Sequence, residues 1–162
     1  MEFETTALHA GERPEKLYGA ISVPIYQTST FEFEDIGKTR GFDYTRSGNP
    51  TRKALEDTLA ALEGGSFAVA FATGMAAEST LMHLLAPGDR ILAQKDLYGG
   101  SYRLLAAILK PWGIETDFVD FYNLGEVERT VSPNTRMVWI ESISNPLLGV
   151  PDIPGIVHIA KD

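Results

Sequence analysis

The sequence contains no cysteine. Disulfide frameworks, thiolate nucleophiles and cysteine-ligated metals are therefore excluded, and the absence fits a reducing compartment. Positive charge is scarce: 14 Lys and Arg against 22 Asp and Glu give a formal charge of −8. Nucleic acid is not an expected partner, because phosphate backbones recruit basic side chains. No apolar run approaches the ~20 residues of a membrane span. The acidic start, Met1-Glu2-Phe3-Glu4-Thr5-Thr6, lacks the apolar stretch of a secretory signal. A cytoplasmic location without membrane association is the expectation. The three histidines, His9, His83 and His158, share no metal-ligand spacing, so no metal site is expected. A Walker loop, a Gly-x-Ser-x-Gly elbow and a Gly-x-Gly-x-x-Gly turn after a strand are all missing.

What is present has the composition of an ordinary globular chain: 162 residues, 44% apolar and 22% charged, enough for one domain with a core. Residues 1–48 carry little periodicity and are rich in turn formers and aromatics, as in Val23-Pro24-Ile25-Tyr26-Gln27 and Phe31-Glu32-Phe33. Apolar side chains without a regular face bury themselves poorly, so this segment reads as an arm lying across its own domain or a neighbouring subunit. The character changes at Asn49-Pro50, an N-cap followed by proline at the first helical position. Leu55, Leu59 and Leu62 then recur at helical spacing up to Gly64-Gly65.

From there short apolar runs alternate with helical patterns. Strands are expected at Phe67–Ala72, Arg90–Ala93, Glu115–Val119 and Met137–Ile140. Helices are expected at about Gly74–Leu85, Gly100–Lys110, Leu124–Thr130 and Asp152–Lys161. Such alternation implies a largely parallel sheet covered on both faces. The pattern closes on a helix where another strand would follow. The edge beside Met137–Ile140 and the helix face of Ile153, Ile156 and Ile159 are therefore expected to need a cover from outside this sequence.

In open α/β sheets ligands gather at the carboxyl ends of strands, and three segments fall there. Thr73-Gly74-Met75 joins a strand to a helix. It suits a phosphate through unpaired N–H groups and the helix dipole, or else is a plain turn with a threonine cap. Tyr98, ahead of Gly99-Gly100, is placed to stack on a planar cofactor or to pack under its loop. Asn145, in Ser144-Asn145-Pro146, is a hydrogen-bonding group or a turn former. Separately, Tyr44 and Arg46 in Tyr44-Thr45-Arg46-Ser47-Gly48-Asn49-Pro50 point the same way if extended; arginine grips phosphate through paired N–H groups, or else this is a solvated arginine beside a core tyrosine.

In this order and spacing, these blocks resemble the pyridoxal 5'-phosphate (PLP) enzymes of cysteine and methionine metabolism, the cystathionine synthase and lyase family. Thr6-Ala7-Leu8-His9-Ala10-Gly11 and Pro24-Ile25-Tyr26-Gln27-Thr28-Ser29-Thr30-Phe31 look like that family's opening. Asp96-Leu97-Tyr98-Gly99-Gly100 and Glu141-Ser142-Ile143-Ser144-Asn145-Pro146 look like two walls of its pocket. The resemblance implies an α/β chain of fold-type I, an incomplete aminotransferase-like large domain (49–162) behind an N-terminal arm (1–48). It implies PLP as cofactor, held by Gly74 and Met75 through the phosphate and by Tyr98 through its ring, with Tyr98 the catalytic candidate for proton transfer. Asn145 falls near the cofactor and the substrate. Tyr44 and Arg46 would serve a neighbouring subunit's phosphate. Asp43, Tyr44, Arg103 and Asn145 fall at substrate-contacting positions.

The activity so implied is trans-sulfuration by a homo-oligomer, a dimer of active-site dimers, acting on cystathionine or an activated homoserine ester. Gly100-Ser101-Tyr102-Arg103 looks more like the synthase and cystathionine-lyase branches than the methionine-cleaving lyases, which tend to carry cysteine at the position of Gly100. The family's cofactor-bearing lysine and the aspartate of the pyridine nitrogen match no position here. The alternative reading is accordingly an inactive fragment that associates with partner chains or binds a phosphate group.

Overall fold

The computed structural model describes residues 2–11 and 13–161; Met1, Glu12 and Asp162 lie outside them. By internal contacts the chain divides into two compact units, Met1–Phe71 and Ala72–Asp162.

The first unit holds two helices, α1 (Phe3–His9) and α2 (Pro50–Leu62). Helix α2 starts where the Asn49-Pro50 pair places it: Asn49 is extended and its side-chain oxygen accepts the Thr51 N–H at 2.9 Å. Its leucine stripe is not buried, with Leu55 52% and Leu59 43% exposed. Around α2 the arm is tied by polar contacts. Asn49 Nδ2 donates to the Tyr26 carbonyl, and Thr51 Oγ1 bridges the Tyr26 N–H and the Pro24 carbonyl. Gly11, at φ 75°, lies so close to α2 that a Cβ would run into the Ala54 carbonyl.

The expected strand at Phe67–Ala72 does not form. The segment has no ladder partner among the described residues, and its Ala70 N–H goes instead to Glu56 Oε1 at 2.9 Å. Phe67 and Val69 are exposed. An apolar run becomes a strand only when another backbone offers its hydrogen bonds.

The second unit is a three-stranded parallel sheet of order β2-β1-β3, from β1 (Arg90–Gln94), β2 (Glu115–Val119) and β3 (Thr135–Trp139). Three strands thus stand where four were expected. The central β1 is buried on both faces. Ile91 and Ala93 point into a cluster with Met82, Leu97, Leu104, Leu105, Leu109 and Ile114; Leu92 points into one with Val119, Phe121, Val127 and Ile156. Burying each large aliphatic side chain contributes roughly 1.5–3 kcal/mol. Arg90 is clamped by Asp117, through Nε at 2.8 Å and Nη2 at 2.6 Å, and also by Glu115. These carboxylates, Asp117 first, raise its pKa further above the ordinary arginine value.

Helices α3 (Gly74–Met82), α4 (Gly99–Arg103), α5 (Leu124–Thr130) and α6 (Ile153–Lys161) complete the unit. Helix α4 does not run on to Lys110 as a plain α-helix. It passes into a π-helical turn at Leu104–Ile108 and a 3-10 turn at Lys110–Trp112, and Gly113 at φ 77° ends it. The expectation that the α6 apolar face stands uncovered is corrected for Ile156 and Ile159. Ile156 is buried in the second cluster with Ile159 packed against it, because α5 covers that side; Ile153 remains 37% exposed. The edge of β3 away from β1 carries no strand among the described residues. No helix among them is long and apolar enough to cross a membrane, and they hold no cluster of metal-ligating side chains.

Candidate functional site

In the second unit the carboxyl ends of β1 and β3 lie side by side, as parallel pairing requires, and their loops interlock. Gln94, at the end of β1, is fully buried, and its Oε1 accepts the Glu141 N–H at 3.3 Å. The Glu141 carboxylate reaches back to the loop after β1. It accepts the Tyr98 N–H at 3.0 and 2.9 Å and the Ser101 hydroxyl at 3.3 Å. In the opposite direction, buried Ser144 donates to the Asp96 carboxylate and accepts the Gly149 N–H at 2.8 Å. Of the four buried polar residues among those described, Gln94, Ser101 and Ser144 belong to this latch. Polar groups leave water when partners are supplied, and here the loops supply each other.

Tyr98 stands on this latch and is 48% exposed. The ring rests on Gly100. A Cβ there would meet both the ring edge and Met75 Sδ, the latter at 2.9 Å. Tyr98, Gly100 and Met75 therefore share one contact, which brings the start of α3 beside the Tyr98 loop. At that start the Thr73 side chain caps the Ala76 N–H at 3.1 Å. The N–H groups of Gly74 and Met75 precede any intrahelical acceptor, and the space where a Gly74 Cβ would project is open. Asn145 is exposed after Ser144, between cis peptide bonds at Ser142-Ile143 and Asn145-Pro146. Arg103 is exposed at the end of α4.

In the first unit Arg46 stacks on its neighbour Tyr44, the guanidinium 5.0 Å from the ring centroid. Their loop is fixed from below. Arg52 donates to the Thr45, Arg46 and Ser47 carbonyls at 3.3, 3.5 and 3.1 Å and pairs with Glu56 at 3.5 Å. Asp43 is exposed and accepts the Tyr44 N–H at 2.7 Å and the Ser47 hydroxyl at 3.1 Å. The structure thus brings Gly74, Met75 and Tyr98 together, and Asp43, Tyr44 and Arg46 together, each set within its own unit. Glu141 and Arg52 were not singled out from the sequence, since a lone Glu after a strand and a second Arg on a helix carry no pattern of their own.

The family profile described as Cys/Met metabolism PLP-dependent enzyme matches residues 4–162. The chain belongs to this family. It is 43% identical over 160 residues to a probable cystathionine gamma-synthase of Herpetosiphon aurantiacus, covering 99% of this chain and 50% of that protein. It is 45% identical to a cystathionine beta-lyase of Bacillus subtilis, covering 98% and 41%. The solved structure of metB from Corynebacterium glutamicum superposes with a TM-score of 0.94 at 42% identity, over 99% of this chain and 42% of that one. That of cystathionine gamma-lyase from Lactobacillus plantarum, complexed with L-serine, superposes at 0.90 with 43% identity. The fold is therefore that of the PLP-dependent cystathionine synthases and lyases, and the family's cofactor is PLP. The chain spans about two fifths to one half of the length of these relatives.

Proposed function

We propose that this chain is the N-terminal part of a PLP-dependent trans-sulfuration enzyme that acts on cystathionine or an activated homoserine ester, by β or γ elimination or by γ replacement. The observation that carries the reading is the convergence of the α3 start and the Tyr98 ring on Gly100, in a chain of this family. The residues fit the cofactor. Two N–H groups without intrahelical partners, at the positive end of a nine-residue helix, suit a phosphate. No atom stands within 4 Å of where a Gly74 Cβ would project, and the aromatic ring of half-exposed Tyr98 beside it suits a planar heterocycle.

In this reading Gly74 and Met75 hold the phosphate, Tyr98 stacks on the ring and moves a proton at its phenolic oxygen, and Asn145 orients ring and substrate. Tyr44 and Arg46 serve the phosphate of a neighbouring subunit in a cytoplasmic homo-oligomer, a dimer of active-site dimers, whereas Asp43 and Arg103 bind the amino-acid substrate. PLP, when bound, supplies an electron sink for the bonds at the substrate's α- and β-carbons. The six lysines Lys16, Lys38, Lys53, Lys95, Lys110 and Lys161 match none of the family's cofactor-bearing positions, so residues 1–162 alone are proposed to be inactive.

Turnover tests both parts. The complete protein with PLP should cleave cystathionine or form it from an O-acylhomoserine and cysteine, and residues 1–162 alone should do neither. Absence of turnover by the complete protein overturns the activity. Stoichiometric borohydride trapping of PLP on one of the six lysines overturns the expectation for the chain alone.

A further inference from the structure

Tyr98 is the N-cap of α4, yet its own side chain makes no capping bond. The group that meets the start of this helix comes from 43 residues away: both oxygens of Glu141 accept the Tyr98 N–H, and Oε1 also accepts the Ser101 hydroxyl. Glu141 is itself held, because its N–H donates to the fully buried Gln94. The ring, for its part, lies on Gly100 and Met75. The backbone of Tyr98 is thus fixed from the β3 side and its ring from the α3 side, with the residue still half exposed.

We infer that Glu141 is a positioning residue for Tyr98, acting on the cofactor only through the placement of that ring. The inference rests on the reading of Tyr98 as the cofactor-stacking group. Asp96 and Ser144 form the reciprocal half of the same latch, so the two loops are pinned at two points and cannot slide in register. Removing Glu141 leaves the Tyr98 N–H and the buried Ser101 hydroxyl without their acceptor, frees the loop to tilt, and moves the ring while every cofactor-facing group stays in the sequence.

The test is a double-mutant cycle in the complete PLP-loaded protein, using Glu141→Ala, Glu141→Gln, Tyr98→Ala and their combinations. Each is read by PLP affinity and by the visible circular dichroism of bound PLP. Glu141→Ala should weaken PLP binding by about tenfold and reduce the dichroic band. Glu141→Gln, which keeps an acceptor oxygen, should stay within about threefold of the parent. With Tyr98→Ala in place, adding Glu141→Ala should change affinity by no more than about twofold, because a residue acting through Tyr98 has nothing left to position. Additive losses overturn the inference, as does an unchanged dichroic band in Glu141→Ala while Tyr98→Ala loses it. If Tyr98→Ala itself leaves affinity and dichroism unchanged, the stacking role fails, and the inference with it. Should Glu141→Ala not fold, the cycle is run with Glu141→Asp, which draws the carboxylate back by one methylene; a loss of PLP affinity that adds to that of Tyr98→Ala overturns the inference in the same way.

Discussion

In residues 2–71 the side chains that leave solvent almost entirely are Asn49 and Ala60, whereas residues 72–161 bury two apolar clusters on opposite faces of a sheet. Both regions carry abundant apolar residues. In the first, Leu17, Tyr18, Ile21, Ile25 and Ile36 are each more than three quarters exposed. The difference is one of periodicity and partners. Alternation along β1 sends Ile91 and Leu92 to opposite faces, each already covered by a helix; the arm has no repeating face to offer. Its shape rests on hydrogen bonds from Asn49, Thr51 and Arg52 to backbone carbonyls. Such bonds define a conformation but each contributes only about 0.5–1.5 kcal/mol net.

The sharpest way to break this contrast is truncation at matched leucines. Leu92→Ala should lower the unfolding free energy by about 2–5 kcal/mol, and Leu55→Ala, on the exposed stripe of α2, by less than about 1 kcal/mol. Urea denaturation of both variants checks this, and equal losses would mean that α2 shares the core's stability. Next in size is Asn49→Ala, which removes the cap of α2 and the tie to Tyr26. It should cost about 1–3 kcal/mol, read as faster amide exchange at Thr51 and Lys53 with the β1 amides unchanged. Acceleration in β1 as well would show the two regions opening together.

The smallest effect is electrostatic. Lys95, at 3.2 Å, and the Asp120 N–H hold the Glu126 carboxyl below its ordinary pKa. A carboxylate depressed in the folded state stabilises it above the unfolded value and loses that contribution as pH falls through the folded one. Glu126→Gln should therefore flatten the acid limb of the stability curve slightly, since the carboxylate is still partly open to solvent and screened. Parallel acid titrations of variant and parent, followed by circular dichroism, measure it.

The contrast also marks where the sequence is readable. Asn49-Pro50 announced α2 because capping is local, and β1, β2 and β3 were legible as short apolar runs between turn signals. Phe67–Ala72 has the same look as those strands, but a ladder is a non-local contract and the run itself says nothing about its partner. The π-helical turn at Leu104–Ile108 was hidden because Leu104, Leu105, Ile108 and Leu109 fit an α-helical face equally well. In the candidate site, Gly74, Met75 and Tyr98 stand out through motif order. Glu141 needed the register of β3 against β1, which places its carboxylate beside the amide of a residue 43 positions earlier.

Gly100 gives the Tyr98 platform a floor with no thickness of its own. The Tyr98 ring edge and the Met75 thioether both stand within 3 Å of where a Gly100 Cβ would project, so no side chain at this position holds them off. Even a methyl group there is a shim. It lifts the ring and pushes on α3 through Met75 in the same stroke, while the Glu141 clamp holds the Tyr98 backbone still and leaves side-chain torsions to absorb the displacement. One codon thereby adjusts two side chains at once, from a position that carries no side chain of its own.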